Sequence, residues 1–381
     1  MTDYPYLNNR FSPIILWAAI WAGILLLITG CSGSPSTAPA AATLPPTQAV
    51  LASPTAAPAL PTPVIATSRA AQTTAPATAV TPSPTLTPDA YQPFTIDALT
   101  NRSYGEGELT VIEMMDANSY FTRTLITYPS DGLSIYGFMN TPQERPGRPG
   151  PPYPVVIALH GYIDPAVYNT LDYTTGYADT LARAGFLVLH PNLRGYPPSQ
   201  DGDNRFRVGM AIDVLNLISL VRQQAGQPGP LAQADPERIG LWGHSMGGGI
   251  TIKVLTVDPG IRSAVLYGAM SADDQLNYER IFNYFSAGNR GEEELQTPKD
   301  AFQRISPVNF LDRIQSAVSI HHGQNDIDVP LAWSIDLCER LNALSAPVEC
   351  YTYKDQPHTF QGAGSELFMQ RVVDFYNRTL R

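Results

Sequence analysis

The sequence contains no run of lysine or arginine residues, and basic side chains are scarce in it as a whole. Its 24 lysines and arginines are outnumbered by 34 aspartates and glutamates, which gives a formal net charge of -10 at pH 7. A surface of this sign repels phosphate backbones. The shortage of basic residues therefore argues against nucleic acid as a partner.

Metal ligands and cofactor motifs are lacking as well. The six histidines and three cysteines do not fall at the spacings of metal sites. The chain has no glycine-rich phosphate loop and no dinucleotide-binding fingerprint. We therefore expect its chemistry to need no metal and no cofactor.

The first 31 residues have the features of an export signal. A short polar segment is followed by the apolar run Ile14–Ile28, which is short for a bilayer span. The run ends in an Ile-Thr-Gly-Cys sequence that resembles the bacterial lipobox, in which the cysteine is lipidated. We predict a lipoprotein signal peptide over 1–31, with Cys31 lipidated and the protein extracytoplasmic and anchored to a bacterial membrane. The alternative is a signal anchor with a coincidental cysteine.

Residues 32–90 differ sharply in composition from the rest of the chain. They are dominated by proline, alanine, threonine and serine, and they carry few charges. Such a segment offers too little apolar surface to offset the entropy lost on ordering. We predict a disordered N-terminal linker here, which holds a single domain, residues 91–381, away from the membrane.

The domain itself has the pattern of a mostly parallel sheet. Continuous apolar runs predict buried strands, and segments of helical periodicity alternate with them after an initial β-hairpin. A polar, aromatic-containing segment at about 270–311 interrupts the alternation and predicts a small helical insertion. The expected architecture is an eight-stranded sheet with helices on both faces. Its strands are predicted over Phe121–Tyr128, Leu133–Met139, Val155–Leu159, Phe186–Leu189, Ile239–Trp242, Ala264–Tyr267, Ala317–His321 and Val348–Tyr353, and its helices over Leu171–Ala184, Val208–Arg222, Met246–Val257, Leu331–Leu344 and Ser365–Leu380.

A G-x-S-x-G motif lies between a predicted strand and a predicted helix, with Ser245 at its centre. This context is typical of the nucleophile elbow of the α/β-hydrolase fold, whose serine lies on a strained turn. Side chains at Gly243 or Gly247 would crowd the neighbouring strands or the helix. The backbone N–H of Met246, at the helix start, is placed to stabilise an oxyanion. His244 is interpreted as a packing residue of the elbow.

A serine nucleophile needs a base, and the base needs a carboxylate that orients it. Three histidines follow Ser245 in the chain, and His358, on the turn-like loop after the last strand, is the best candidate. His321 and His322 end a strand and point to opposite faces, which suits a catalytic loop poorly. Asp326, on the loop after the preceding strand, is the predicted acid. Asp328 is the alternative, although its place near a helix start favours capping.

The second oxyanion donor is expected from the loop after the strand that ends at Leu159. We predict the backbone N–H of Tyr162 for this role, paired with that of Met246. The Tyr162 hydroxyl is either a third donor or part of an aromatic packing contact. Arg194 is interpreted as a structural residue that binds a carboxylate, and a residue that clamps the substrate is the alternative.

Cys338 and Cys350 are predicted on a helix and on the strand that follows it. In an exported protein such a pair can oxidise to a disulfide. Two buried free thiols are the alternative, and the sequence leaves both open.

Several of these segments together resemble the catalytic domain of the prolyl oligopeptidase family. The resemblance covers about residue 128 to the C-terminus and rests on Ser130-Asp131-Gly132, His160-Gly161, Asn192–Gly195, Asp235–Ile239, the elbow, and His322–Pro330. It implies an α/β-hydrolase fold, a catalytic triad of Ser245, Asp326 and His358, and an oxyanion hole lined by Tyr162.

Two departures from the family pattern bear on the substrate. The predicted linker occupies the place of a β-propeller domain, and the oxyanion loop lacks a further glycine after Tyr162. We therefore expect a serine hydrolase that cleaves a small ester or peptide through an acyl-enzyme. A prolyl oligopeptidase-like peptidase and a carboxylesterase are both open, and a non-catalytic binding lipoprotein is a third, less favoured interpretation.

Overall fold

The computed structural model describes residues 89–381. The predicted signal peptide with Cys31, and all but the last two residues of the predicted linker, lie outside the described residues. Among residues 89–381, no helix combines the length and apolar character that crossing a bilayer requires.

One sheet of nine strands, in the order β1-β2-β3-β5-β4-β6-β7-β8-β9, organises the domain. The first three strands and the β3–β5 pair are antiparallel, and every later pairing is parallel. The strands are β1 Thr110–Ala117, β2 Phe121–Ser130, β3 Leu133–Pro142, β4 Tyr153–Leu159, β5 Leu187–Pro191, β6 Ala234–His244, β7 Ser263–Tyr267, β8 Ala317–Gly323 and β9 Val348–Tyr353.

Nine α-helices accompany the sheet in residues 89–381, and short 3-10 or π-helical turns extend some of them. The helices are α1 Ile96–Thr100, α2 Thr175–Ala184, α3 Val208–Gln224, α4 Met246–Val257, α5 Asp274–Arg280, α6 Glu292–Leu295, α7 Lys299–Ile305, α8 Leu331–Ala343 and α9 Gly362–Thr379. The 3-10 turns are Gln92–Phe94, Arg205–Arg207, Pro307–Asn309 and Leu311–Arg313, and the π-helical turn is Ile281–Phe285.

Strand β4 shows why continuous apolar runs form the centre of this sheet. All seven of its residues are buried. Because successive side chains point to opposite faces, Val155, Ile157 and Leu159 join the core that α3 and α4 cover, whereas Val156 and Ala158 join the core that α2 and α9 cover. The predicted sheet with helices on both faces is confirmed.

The sequence predicted eight strands, and β1 is the ninth. Every residue of β1 is exposed except one that is partly buried, and β1 lies at the edge of the sheet beside β2. A strand without a buried face has no reason to alternate apolar and polar residues. The hydrophobic pattern that revealed the other strands is therefore absent here.

The insertion after β7 is helical, as predicted, and a buried ion pair fixes it to helix α4. Lys253 Nζ on α4 donates to Asp274 Oδ2 on α5 at 2.7 Å and to the Ile305 carbonyl at the end of α7 at 3.1 Å. Both charged side chains are almost fully buried. Since a buried charge without its partner is costly, this contact holds α5 and α7 over α4.

The two C-terminal cysteines form a disulfide in the structure. Cys338 on α8 and Cys350 on β9 have their Cα atoms 6.5 Å apart. Of the two alternatives that the sequence leaves open, a disulfide and two free thiols, the structure contains the disulfide.

Three buried histidines make the folded state sensitive to acid. Burial lowers the pKa of His190, His244 and His321 from 6.5 to about 3. Between these two values the unfolded chain binds protons that the folded chain does not bind. The free energy of unfolding should therefore fall as the pH is lowered from about 6.5 toward 3.

Replacing His321 tests this linkage. Its ring nitrogens contact the hydroxyls of Ser319 and Tyr353, each at 2.8 Å, and a glutamine amide can bond both. We expect His321→Gln to reduce the slope of unfolding free energy against pH by up to about 1.4 kcal/mol per pH unit. Urea denaturation at pH 7, 6, 5 and 4 measures the slope, and an unchanged slope contradicts the prediction.

Candidate active site

Ser245 lies between the end of β6 and the start of α4. Its backbone conformation is one that residues other than glycine rarely adopt. Its φ is 55° and its ψ is -116°. Two backbone hydrogen bonds to the end of β7 and the residues after it hold the turn. The Ser245 N–H donates to the Tyr267 carbonyl at 3.0 Å, and the Ser245 carbonyl accepts from the Met270 N–H at 3.0 Å. These bonds keep a strained residue in place.

The two elbow glycines are required by close backbone contacts. A Cβ on Gly243 would lie 2.4 Å from the Gly247 carbonyl oxygen, and a Cβ on Gly247 would lie 2.3 Å from the Leu159 carbonyl oxygen. No side chain fits at such distances. The crowding expected from the sequence is present at both positions.

His358 and Asp326 meet across the ends of two neighbouring strands. Asp326 follows β8, His358 follows β9, and His358 Nδ1 lies 2.7 Å from Asp326 Oδ2. The other carboxylate oxygen of Asp326 accepts from the N–H groups of Asp328 and Val329, at 2.9 and 2.8 Å. Asp326, rather than Asp328, is thus the carboxylate bonded to His358.

The Asp326 carboxylate also contacts a second histidine. His322 Nε2 lies 3.1 Å from Asp326 Oδ2, and His322 Nδ1 lies 2.7 Å from the Ser334 hydroxyl. Burial by itself would raise the pKa of Asp326, but hydrogen bonds from His322 and His358 hold that pKa well below its usual value. The sequence interpretation rejected His322 as a base but missed this contact, and the only signal for it is the spacing of four residues from Asp326.

A cavity of about 590 Å³ opens beside Ser245. Its lining includes the four predicted groups Ser245, Met246, Tyr162 and His358. The first residue of α4, Met246, has no intrahelical partner for its N–H. Within residues 89–381 no hydrogen bond joins Ser245 Oγ to His358, as is common for catalytic groups in structures without substrate.

The insertion forms one wall of the cavity. The residues of this segment that line the cavity are Met270, Tyr278, Ile281, Phe285, Arg290, Gly291 and Glu294. The wall is therefore mostly apolar, with one arginine and one glutamate from this segment. The polypeptide between β7 and β8 thus shapes the space next to Ser245.

Tyr162 and Arg194 have partners that explain their orientation. The Tyr162 hydroxyl accepts from Arg290 Nη1 at 2.7 Å, and the Arg290 guanidinium lies 4.6 Å from the centre of the Tyr162 ring. This contact joins the loop after β4 to the insertion, which the sequence did not suggest. Arg194, also at the cavity, is bound through its backbone and side chain to buried Asp213. The structural role predicted for Arg194 agrees with these bonds.

The family model of the prolyl oligopeptidase family matches residues 173–381, which is more than half of the chain. The chain belongs to the prolyl oligopeptidase family. It is a serine hydrolase, a peptidase or an esterase, and its fold is that of the α/β-hydrolases.

Similar proteins include both kinds of enzyme by name. An uncharacterized peptidase, YtmA, of Bacillus subtilis is 28% identical over 239 residues, which is 62% of this chain and 85% of the relative. An acetyl xylan esterase of Thermoanaerobacterium has the same fold, with a TM-score of 0.54 and 20% identity over 74% of this chain and 93% of its own. A puromycin-hydrolyzing peptidase of Mycobacterium tuberculosis has a TM-score of 0.54 and 23% identity, but the match covers 69% of this chain and only 40% of that chain.

Gly268 provides a test of how tightly Asp326 and His358, the predicted acid and base, are packed. It has a φ of +48°, and a Cβ there would lie 3.2 Å from His358 Nδ1 and 3.3 Å from Asp326 Oδ2. We expect Gly268→Ala to lower kcat on a short ester about ten- to a hundredfold, since it displaces the imidazole. Gly226→Ala is the matched control, because its φ is +73° and nothing lies within 4 Å. Equal activity of the two variants would contradict the prediction.

Proposed function

We propose that this protein is an extracytoplasmic, lipid-anchored serine hydrolase that cleaves a small ester or amide through an acyl-enzyme on Ser245. The observation that carries the catalytic part is the convergence of a strained serine and an Asp326–His358 pair on one cavity. Met246 and Tyr162, whose backbone N–H groups are the proposed oxyanion donors, line the same cavity.

Each step of the proposed reaction uses a group of this chain. Ser245 Oγ attacks the substrate carbonyl carbon while His358 Nε2 accepts the hydroxyl proton. Asp326 keeps the proton on His358 Nδ1 and stabilises the imidazolium that forms. Collapse of the tetrahedral intermediate breaks the ester or amide bond, and His358 returns its proton to the leaving group. Water then attacks the acyl-enzyme by the same route, which releases the acid and restores Ser245.

Peptidase and esterase are both supported as the specific activity. Family membership and the named peptidases among the relatives favour a peptide substrate. An acetyl xylan esterase that is matched over 93% of its length favours an ester. The mostly apolar wall formed by the insertion suits a short acyl group or an apolar side chain in either case.

Removal of the nucleophile tests the catalytic proposal. We expect wild-type protein to release p-nitrophenol from p-nitrophenyl acetate with an initial burst, and Ser245→Ala to abolish both the burst and labelling by a fluorophosphonate. The expected loss is about 10³-fold or more, because the nucleophile cannot be replaced by its neighbours. Unchanged turnover in Ser245→Ala would refute the proposal.

Substrate series applied to the same two proteins distinguish the two activities. Short acyl p-nitrophenyl esters report an esterase, and proline-containing peptide anilides report a peptidase. A kcat/KM that is at least tenfold higher for one series assigns the class. Failure of the wild-type protein to label with a fluorophosphonate, together with no turnover in either series, would favour the binding lipoprotein.

The location is proposed from the N-terminal sequence and supported by the disulfide. The bond between Cys338 and Cys350 is typical of proteins exported to an oxidising compartment. We expect Cys31→Ser to prevent incorporation of radiolabelled palmitate when the full chain is produced in a bacterium, and to release the protein from the membrane fraction. Undiminished palmitate labelling of Cys31→Ser would contradict a lipid anchor at this residue.

A further inference from the structure

His244 occupies the elbow position just before the nucleophile, and it bonds to two loops at once. It is 2% exposed. Its Nε2 lies 3.1 Å from the backbone carbonyl of His358, and its Nδ1 lies 2.6 Å from the hydroxyl of Tyr173. The sequence suggested a packing residue, whereas these contacts reach the loop that carries the proposed base.

The Tyr173 hydroxyl extends the connection to the oxyanion loop, residues 160–162. It accepts a hydrogen bond from the Gly161 N–H at 2.9 Å. Gly161 directly precedes Tyr162, whose N–H is a proposed oxyanion donor. A continuous series of three hydrogen bonds therefore runs from Gly161 through Tyr173 and His244 to His358.

The chemistry of the partners determines the proton positions. A backbone carbonyl can only accept, so His244 Nε2 must carry a proton, and in a neutral ring Nδ1 is then the acceptor. The Tyr173 O–H then donates to Nδ1, and its oxygen remains free to accept from Gly161. With a neutral imidazole, every hydrogen bond of the series therefore has one donor and one acceptor.

A neutral ring at this position is compatible with a base that becomes charged. The ring centres of His244 and His358 are 4.6 Å apart. Burial lowers the pKa of His244 to about 3, so the ring stays uncharged near neutral pH. A cation at the same position would oppose the protonation of His358 during attack.

We propose that His244 and Tyr173 are positioning residues that set the placement of the oxyanion loop relative to His358. The loops come from strands β4 and β9, which are not neighbours in the sheet, since β6, β7 and β8 lie between them. The series of hydrogen bonds connects the loops after β4 and β9 at the edge of the sheet where Ser245 lies. The inference rests on the proposed hydrolase function and adds two residues that do not touch substrate.

Four variants separate positioning from packing. Tyr173→Phe removes one oxygen and two hydrogen bonds. His244→Gln keeps an acceptor and a donor but loses the ring, whereas His244→Phe keeps a ring against Tyr267 and His358 but loses both bonds. Tyr376→Phe is the matched control, because it removes a buried hydroxyl that bonds to Leu241 outside this series.

Steady-state kinetics on p-nitrophenyl acetate provide the measurement. We expect Tyr173→Phe and His244→Phe to lower kcat by about tenfold or more with KM changed less than about twofold, since the loss is one of transition-state placement. His244→Gln should retain at least about a third of the wild-type kcat, and Tyr376→Phe should match the wild type. Thermal melts confirm that compared variants are folded at the assay temperature.

Two results would overturn the inference. One is a kcat of Tyr173→Phe equal to that of Tyr376→Phe, a comparison that holds even if a His244 variant fails to fold. The other is a folded His244→Phe that is more active than a folded His244→Gln, which would show that ring packing is what matters. Failure of the proposed function is distinguishable, because wild-type protein would then lack Ser245-dependent turnover altogether.

Discussion

The site depends on a strained backbone conformation at Ser245. Such a conformation costs on the order of 1–3 kcal/mol relative to an unstrained one. The φ of Ser245 is 55°, in the left-handed region, and Ser245 lines the cavity. The conformation persists because β6 is paired on both sides and because α4 begins at the next residue. Gly243 and Gly247 allow the helix and the strand to approach closely enough for this turn. Without this turn, Asp326 and His358 would have no serine beside them to act as the proposed nucleophile.

Parallel topology explains how residues nearly two hundred positions apart reach one place. Strands β4, β6, β8 and β9 run in the same direction, so the loops that follow them lie at one edge of the sheet. These loops carry Tyr162, Ser245, Asp326 and His358. Polar contacts between side chains hold neighbouring loops together at that edge, such as His358 after β9 against Asp326 after β8. The sheet brings the loops near one another, and the hydrogen bonds determine their spacing.

Much of the fold could be predicted from the sequence, and the reason differs from element to element. Helix α4 has the predicted bounds, Met246–Val257, because the elbow motif marks its start. Strand β1 was missed because its surface position leaves no hydrophobic periodicity. The contacts of Tyr173 and Arg290 were missed for another reason: each joins residues that are distant in the sequence and leaves no local pattern. The residues of the site followed from motif and chain order, whereas the network around them required coordinates.

The histidines of the chain give an independent argument for the proposed base. All six lie in residues 89–381, in or just after strands at the edge that carries the cavity. Four of them have hydrogen-bond partners at both ring nitrogens, and a fifth, His190, is buried with one partner and does not line the cavity. His358 alone among the six lines the cavity, with Nδ1 bound to Asp326 and no hydrogen bond to Nε2 from any described residue. A proton leaving Ser245 therefore has one imidazole nitrogen available to receive it. The four histidines with a hydrogen-bond partner at each ring nitrogen are His160, His244, His321 and His322.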